Sequence, residues 1–429
     1  MNTFRGEAFG VLVGIDWADT KHDVCLQAAG TTHRVFEQFS HNPADIEVWV
    51  QSLRTRFSGP IAIAIELSKG PIVYALQKYD DIVIYPINPA TLAKYRVTFT
   101  PSRAKDDPTD AELALDLLLT HPGHFKPLNP QSVKMRTLTS LVEQRRFLVG
   151  DRVRLTNRIR NTLKQYYPQA LVWFDRIDTP MFCDFIERWP TLAQVKRARK
   201  STLTKFFRDR NLRSAKVLES RIESIREATP LTKDEAVIIP HRLQALTLVD
   251  LLRVTLSSIK RFDKEIAELA PQHPDYKLFS TLPGAGPSLA PRLLVAFGEQ
   301  RDRYKSAAEV QKYSGIAPVT ERSGKKSWVH WRWQCPTFQR QTFVEWAGQT
   351  VNKSYWAGAY YRQQRDKGCA HQAALRSLAF KWIRILYRCW ETRTPYDEAV
   401  YLKALERRGS PLLKQAGAPN QILPAERVV

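Results

Sequence analysis

The run Val11–Ile15, five aliphatic or small residues leading straight into Asp16, constrains this chain more than any other stretch. Apolar at every position and rich in β-branched residues, it reads as a buried strand. After a short polar turn, Asp23–Ala28 starts a second extended run, so a β-hairpin follows. Asp16 then stands where a buried strand meets solvent, the position at which many metal-dependent nucleases carry a first ligand. A strand that merely ends at a polar turn residue gives the same local pattern, so the reading depends on carboxylates elsewhere.

Residues 1–127 alternate strands and helices. His33–Phe39 is a candidate third strand, and Asn42-Pro43-Ala44-Asp45 opens a helix carrying Ile46, Val48, Trp49 and Leu53. Pro60–Glu66 is the clearest strand, apolar until it ends at Glu66. A helix follows from Ser68 through Tyr79, then a buried strand over Asp81–Ile87. This alternation predicts an α/β domain with a mixed sheet. In the next helix Pro108 suits the first turn, with Asp107 as cap. Asp107 and Asp110, three apart, lie near one edge of that helix start. Capping and compensation of the helix dipole account for either acid alone.

From Pro130 the pattern becomes helical and basic. Arg145, Arg146, Arg152, Arg154, Arg158, Arg160 and Lys164 share a long helix with Leu141, Leu148, Leu155, Ile159 and Leu163, an amphipathic, coiled-coil-like spacing. Such a charge run is either a solvated face or one that tracks phosphates. Trp173, Phe174, Phe182, Phe185 and Trp189 place a small helical subdomain at about 172–235. A second long helix, about Leu243–Leu269, repeats the apolar spacing and can pack antiparallel on the first. Lys and Arg outnumber Asp and Glu 65 to 43 over the 429 residues, a net charge of +22. That excess favours a polyanionic partner, nucleic acid above all. An anionic membrane would suit the charge too, but no apolar run approaches the length of a span and no leader-like segment opens the chain. The five cysteines are scattered without a C-x-x-C pair, which argues against zinc and disulfides and for a reducing cytoplasm.

The C-terminal third opens with Leu282-Pro283-Gly284-Ala285-Gly286, a tight turn before a helix that resembles a helix-hairpin-helix motif. Gly284 and Gly286 there would let backbone N–H groups approach a phosphate, although Pro-Gly-x-Gly is equally an ordinary turn. Next come Gly315-Ile316-Ala317-Pro318 and Glu321-Arg322-Ser323-Gly324-Lys325-Lys326, then a strand or ribbon over Ser327–Cys335 and a helical stretch over Gln339–Ala379. Gly409–Val429 is rich in Pro, Gly and Gln and is expected to fray.

Asp16, Glu66, Asp107 and Asp110 thus stand at two strand ends and one helix edge. In a ribonuclease-H-like sheet the first and fourth strands are neighbours and the last helix packs beside them, so the four acids would meet. Four like charges at one point need a cation. Hard oxygen ligands suit Mg²⁺ or Mn²⁺, which activate and clamp phosphoryl oxygens.

In this order, Gly14-Ile15-Asp16, Ile65-Glu66, Lys105-Asp106-Asp107-Pro108-Thr109-Asp110-Ala111, then the Pro-Gly-Ala-Gly turn and Gly315-Ile316-Ala317-Pro318 with Arg322-Ser323-Gly324, the motifs resemble the IS-one-ten family of insertion-sequence transposases. The likeness spans about 10–120 and 275–390 and is similar to Piv-type DNA invertases in architecture. It implies a RuvC-like DEDD domain at 1–127, a long-helix region at 128–271 with its inserted subdomain, a mostly helical transposase domain at 272–405 and a flexible tail at 406–429. It also implies an RNA-guided recombinase that works on DNA as a homo-oligomer, dimer or tetramer, with a structured non-coding RNA as partner. Ser323 becomes the nucleophile, completed by the Asp16/Glu66/Asp107/Asp110 metal site of another subunit; Arg322, Lys325 and Lys326 beside it can contact phosphate. Asp107 is preferred to Asp106 because it keeps the three-residue spacing to Asp110, and Ser314 and Ser327 stand near enough to compete with Ser323.

Two other classes stay open. A RuvC-like junction nuclease would use the carboxylates with water as nucleophile and form no covalent adduct. A non-catalytic nucleic-acid scaffold would use the acids only as caps and strand ends. A Gly-Ile-Asp start also fits actin-like phosphotransferases, but no second glycine-rich phosphate loop follows a strand.

Overall fold

Aliphatic runs with no exposed position pair with one another, because a sheet is the arrangement that satisfies their backbone groups away from water. The computed structural model describes residues 9–99, 107–410 and 412. The chain divides into two compact units, Met1–Pro130 and Gln131–Val429.

In the first unit, in chain order, lie β1 (Val11–Asp16), β2 (Lys21–Ala28), β3 (Arg34–Ser40), α1 (Pro43–Arg56), β4 (Ile61–Ile65), α2 (Pro71–Leu76), β5 (Ile82–Pro86), α3 (Pro89–Phe99) and α4 (Asp107–Thr120). The sheet order is β3-β2-β1-β4-β5. β1 runs antiparallel to β2, with Asp16 opposite Asp23, and parallel to β4, with Ile15 beside Ile65. The mixed α/β sheet expected from the strand–helix alternation is therefore present. One face carries Val11, Val13, Ile15, Ile61, Ile63 and Ile65 against α1 and α2. The other carries Leu12, Cys25, Ala62 and Ala64 against α3 and α4. Small residues on this second face bring α4 very close: a Cβ on Gly14 would sit 2.0 Å from the Ala111 carbonyl oxygen.

The second unit is helical apart from one hairpin. α5 (Val133–Tyr166) is followed by five short helices, α6 (Gln169–Trp173), α7 (Pro180–Arg188), α8 (Leu192–Arg197), α9 (Lys200–Arg208) and α10 (Ala215–Glu227), and then by α11 (Glu235–Leu269). Met135, Leu138 and Val142 of α5 share a core with Ile266 of α11, whereas Ile159 and Leu163 share one with Ala245, Leu248 and Leu252. The start of one helix thus meets the end of the other, and they pack antiparallel. α11 begins eight residues before the expected Leu243, because Asp234 caps it by accepting the Ala236 N–H at 2.9 Å and Pro240 is absorbed inside the helix. The short helices close over Phe174, Phe182, Phe185, Phe206 and Phe207, the aromatic cluster of the inserted subdomain.

Then come α12 (Tyr276–Ser280), α13 (Gly286–Phe297), α14 (Ala307–Tyr313), β6 (Val319–Ser323), β7 (Lys326–His330), α15 (Thr337–Thr350), α16 (Tyr355–Asp366), α17 (His371–Thr392) and α18 (Glu398–Arg407). Their core is built on Trp346, Trp356, Trp382 and Trp390. Each indole N–H is satisfied, for example Trp346 on the Pro283 carbonyl at 3.0 Å and Trp390 on the Gly298 carbonyl at 2.8 Å. The turn at 282–285 joins the five-residue α12 to α13, and the two pack together with the Phe279 and Phe297 rings 5.7 Å apart; α12 is too short to establish the helix-hairpin-helix resemblance. The strand expected over Ser327–Cys335 ends at His330 and pairs with β6, so the basic segment at 321–326 is the tip of a hairpin. α18 runs to Arg407, and Leu412 packs into the same core; 411 and 413–429 lie outside the described residues.

Candidate functional site

Parity along the strands decides which side chains share a face. Asp16 has the parity of Leu12 and Gly14, so it belongs to the face that α4 covers. β4 runs beside β1 in parallel register, and Glu66, one residue past Ile65, belongs to the same face at the same end. α4 starts over that end, as the contact between Ala111 and Gly14 shows. Its Asp110 is 2% exposed. Three of the four expected acids therefore share one end of one face. Asp107 opens α4, and its side chain, like all of Asp106, lies outside the described residues.

Among the described residues no three Asp, Glu, His or Cys side chains close on a common point. Arg96 reaches from the last turn of α3 and clamps Asp110 in both prongs, Nε to Oδ1 at 2.5 Å and Nη2 to Oδ2 at 2.6 Å. A planar guanidinium matches a carboxylate in this way and supplies the counter-charge that burial demands. Sequence reasoning also missed Asp23, 3% exposed and opposite Asp16. It is bonded by Gln38 on β3 and paired with Lys21 at 3.6 Å. The signal was present, since Asp16 and Asp23 flank one hairpin turn. His22, next to it, points to the other face, against Phe39 and His41. Burial, with His41 close by, lowers its pKa to about 4, so its ring is neutral at physiological pH. The donor set that remains is carboxylate oxygen, which in kind fits a hard divalent cation.

The basic residues of α5 divide by partner. Arg145 is ion-paired with Asp263 of α11, Arg146 donates to Gln341 at 2.9 Å, and Arg152 lies 3.5 Å from Asp178. These three serve packing as well as charge. Arg154, Arg158, Arg160 and Lys164 are exposed, and Arg154 pairs with Asp151 one turn away on its own helix.

Gly284 and Gly286 behave differently from each other. Both have positive φ, 71° and 54°. A Cβ on Gly284 would lie 2.8 Å from the Gln349 carbonyl oxygen, so this glycine lets the turn pack on α15; the Cα of Gly286 faces open space.

Ser323 ends β6 and faces Lys326 across a two-residue turn whose first residue, Gly324, has φ of 57°. Arg322, Ser323, Lys325 and Lys326 are all exposed. The Ser323 hydroxyl has no hydrogen-bond partner among the described residues. The competing serines differ sharply. Ser314 is fully buried and its hydroxyl donates to the Gln311 carbonyl at 3.4 Å, whereas Ser327 is exposed beside Arg322.

Residues 13–168 match a model described as transposase, of DEDD type in the IS110 group. Residues 276–362 match one described as transposase of the IS116/IS110/IS902 family. The mini-circle protein named as a transposase for IS117 in Streptomyces coelicolor is 29% identical over 418 residues, 96% of this chain and 99% of that protein. The 43.6 kDa protein of insertion element IS110 from the same organism is 25% identical over 407 residues, covering 92% and 97%. The 44.8 kDa protein of insertion element IS116 from Streptomyces clavuligerus is 27% identical over 288 residues, covering 66% and 70%.

Proposed function

We propose a division of chemical roles for this chain, which belongs to the IS116/IS110/IS902 transposase family and, as a DNA transposase, cleaves and rejoins DNA strands. Residues 1–127, RuvC-like, carry a divalent-metal site; 128–271 grip nucleic acid; 272–405 supply the nucleophile. The observation that carries the first role is the register of β1 and β4, which sets Asp16 and Glu66 side by side under the start of α4. The DEDD match supports divalent-metal dependence.

Asp16, Glu66, Asp107 and Asp110 would hold Mg²⁺ or Mn²⁺, with Arg96 yielding Asp110. Once bound, the ion supplies Lewis-acid stabilisation of phosphoryl oxygens. Ser323 Oγ attacks a backbone phosphorus. Its proton is lost, the bridging P–O bond breaks, and the departing strand leaves as a hydroxyl. The phosphoserine link conserves the energy of the broken bond, so attack by an incoming hydroxyl reseals DNA without a nucleotide cofactor. Arg322, Lys325 and Lys326 stabilise charge on the phosphate in transit. A structured non-coding RNA selects the DNA, the protein works as a homo-oligomer, and its place is the cytoplasm. No helix among the described residues is long and apolar enough to cross a membrane.

Two measurements test this. Chelation of divalent metal is expected to reduce strand cleavage at least 100-fold with binding retained, and Mg²⁺ or Mn²⁺ to restore it. Sequencing of RNA co-purified with the protein should return one dominant structured species. Protein stripped of RNA that still cuts its target at full rate would remove RNA guidance from the reading.

The exposed part of α5 makes a separate prediction. Binding should weaken with salt by about 0.9 log units per log unit for each duplex phosphate neutralised. Replacing Arg154, Arg158 and Arg160 together with Gln should flatten that slope by up to about 3 and weaken all sequences alike. Arg152 is left in place because Asp178 holds it. A loss confined to one sequence would show base reading instead.

A further inference from the structure

Between the foot of the β6–β7 hairpin and α17 lies a cavity of about 430 Å³, within the range of small-ligand sites. Its lining includes the apolar Ile316, Pro318 and Val329 as well as Trp331, Arg332 and Arg376. A third arginine, Arg340, stands outside the lining but reaches the Trp331 indole. Arg376 lies over the Trp331 ring, its guanidinium carbon 3.1 Å from the ring centre, and the Arg340 guanidinium carbon is 5.4 Å from the same centre. Arg340 donates to the Arg332 carbonyl and Arg332 to the Ala317 carbonyl, both at 3.3 Å, and no acid pairs with any of the three among the described residues. Nε of Arg376 and Nε1 of Trp331 are buried with no hydrogen-bond partner. Burial, and then the charge of Arg340, lowers the Arg376 pKa below the usual arginine value, yet the group stays cationic at neutral pH. Buried donors and unpaired cations stacked around an indole are costly until an anion arrives. Trp333, its ring 6.1 Å from that of Trp331, is 79% exposed.

We propose that this cavity, together with Arg340 and Trp333 beside its Trp331, forms a site for one unstacked nucleotide of the nucleic-acid substrate, its phosphate on Arg376 and Arg340 and its base on the open face of Trp333. The proposal rests on the reading of the chain as a nucleic-acid enzyme and adds to it a site for single-stranded nucleic acid. Paired cations alone would suit any phosphate. An exposed indole beside them selects a base freed from its duplex, because stacking on an aromatic ring needs an open base face. None of these residues belongs to the carboxylate site or to the hairpin tip.

The test uses the full chain, a fluorescein-labelled ten-residue oligothymidylate and a labelled 20-base-pair duplex, with affinity read by anisotropy across a salt series. Trp333→Ala is expected to weaken the single strand about 5- to 150-fold, the range of one lost base–aromatic stack, and to leave the duplex within twofold. Because Trp333 is exposed, this variant puts no core at risk. Arg340→Gln combined with Arg376→Gln should lower the single-strand salt slope by about 0.7. Equal losses on both probes, or no loss on either, would overturn the nucleotide site while leaving nucleic-acid binding intact. Failure of the wild-type chain to bind either probe would instead sink the underlying reading.

Discussion

Asp16→Asn is expected to cut strand cleavage by about 10²- to 10⁴-fold in Mg²⁺, the loss that follows when several kcal/mol of metal-borne stabilisation are withdrawn. The substitution keeps shape and removes charge. Asp16 is the last residue of β1, and the side chains that build both faces of the sheet are Val11 to Ile15 and their partners. The thermal unfolding midpoint should therefore stay within a few degrees. Asp110→Asn makes the informative contrast. Asp110 is buried and clamped by Arg96, so this change leaves a largely buried guanidinium without its counter-charge. It should lower stability as well as activity, by about 3–5 kcal/mol if water cannot reach the site. Single-turnover cleavage and urea unfolding on both variants separate the cases. Full activity of Asp16→Asn would end the metal-site assignment.

Ser323→Ala should eliminate the covalent protein–DNA adduct altogether while leaving nucleic-acid affinity near that of the parent. The residue sits at an exposed hairpin end, so truncation removes a hydroxyl and no packing. The cations at the turn can stabilise charge that develops on the phosphate, and Gly324, already in the left-handed region, keeps the backbone slim where DNA must approach. The measurement is a suicide substrate that traps the intermediate, followed by mapping of the DNA-linked peptide. An adduct that persists in Ser323→Ala points to Ser327, since Ser314 is buried and its hydroxyl is already engaged. No adduct in the parent protein returns the chemistry to water and the junction-nuclease reading.

Much of the first unit was legible because local rules and tertiary demands agree there. Five consecutive apolar residues leave a strand little choice but burial, and the carboxylates at 16 and 66 stand where such runs stop. The two long helices were legible for the same reason, since an apolar stripe at helical spacing must face a partner. Boundaries slipped where a cap or a proline overrode the pattern, as at Asp234 and Pro240. The turn at 282–286 stayed ambiguous because Pro-Gly-Ala-Gly reads alike whether its glycines approach a ligand or, as Gly284 does, a neighbouring helix.

By itself the sequence determined the kind of chemistry available: carboxylates at strand ends, a serine among cations, and an excess of positive charge. Which groups meet was decided only by the tertiary structure. Arg96 neutralises Asp110 across 14 residues, Asp23 faces Asp16 across a hairpin, and Arg376 reaches Trp331 from a helix 45 residues further along. Only the Asp16–Asp23 pair leaves a trace in the linear order, through the hairpin turn that joins them; the other two have no periodicity or spacing that a linear reading could detect. They exist because burial forces each charge and each indole to find a complement, and the nearest one in space is set by how sheet and helices pack.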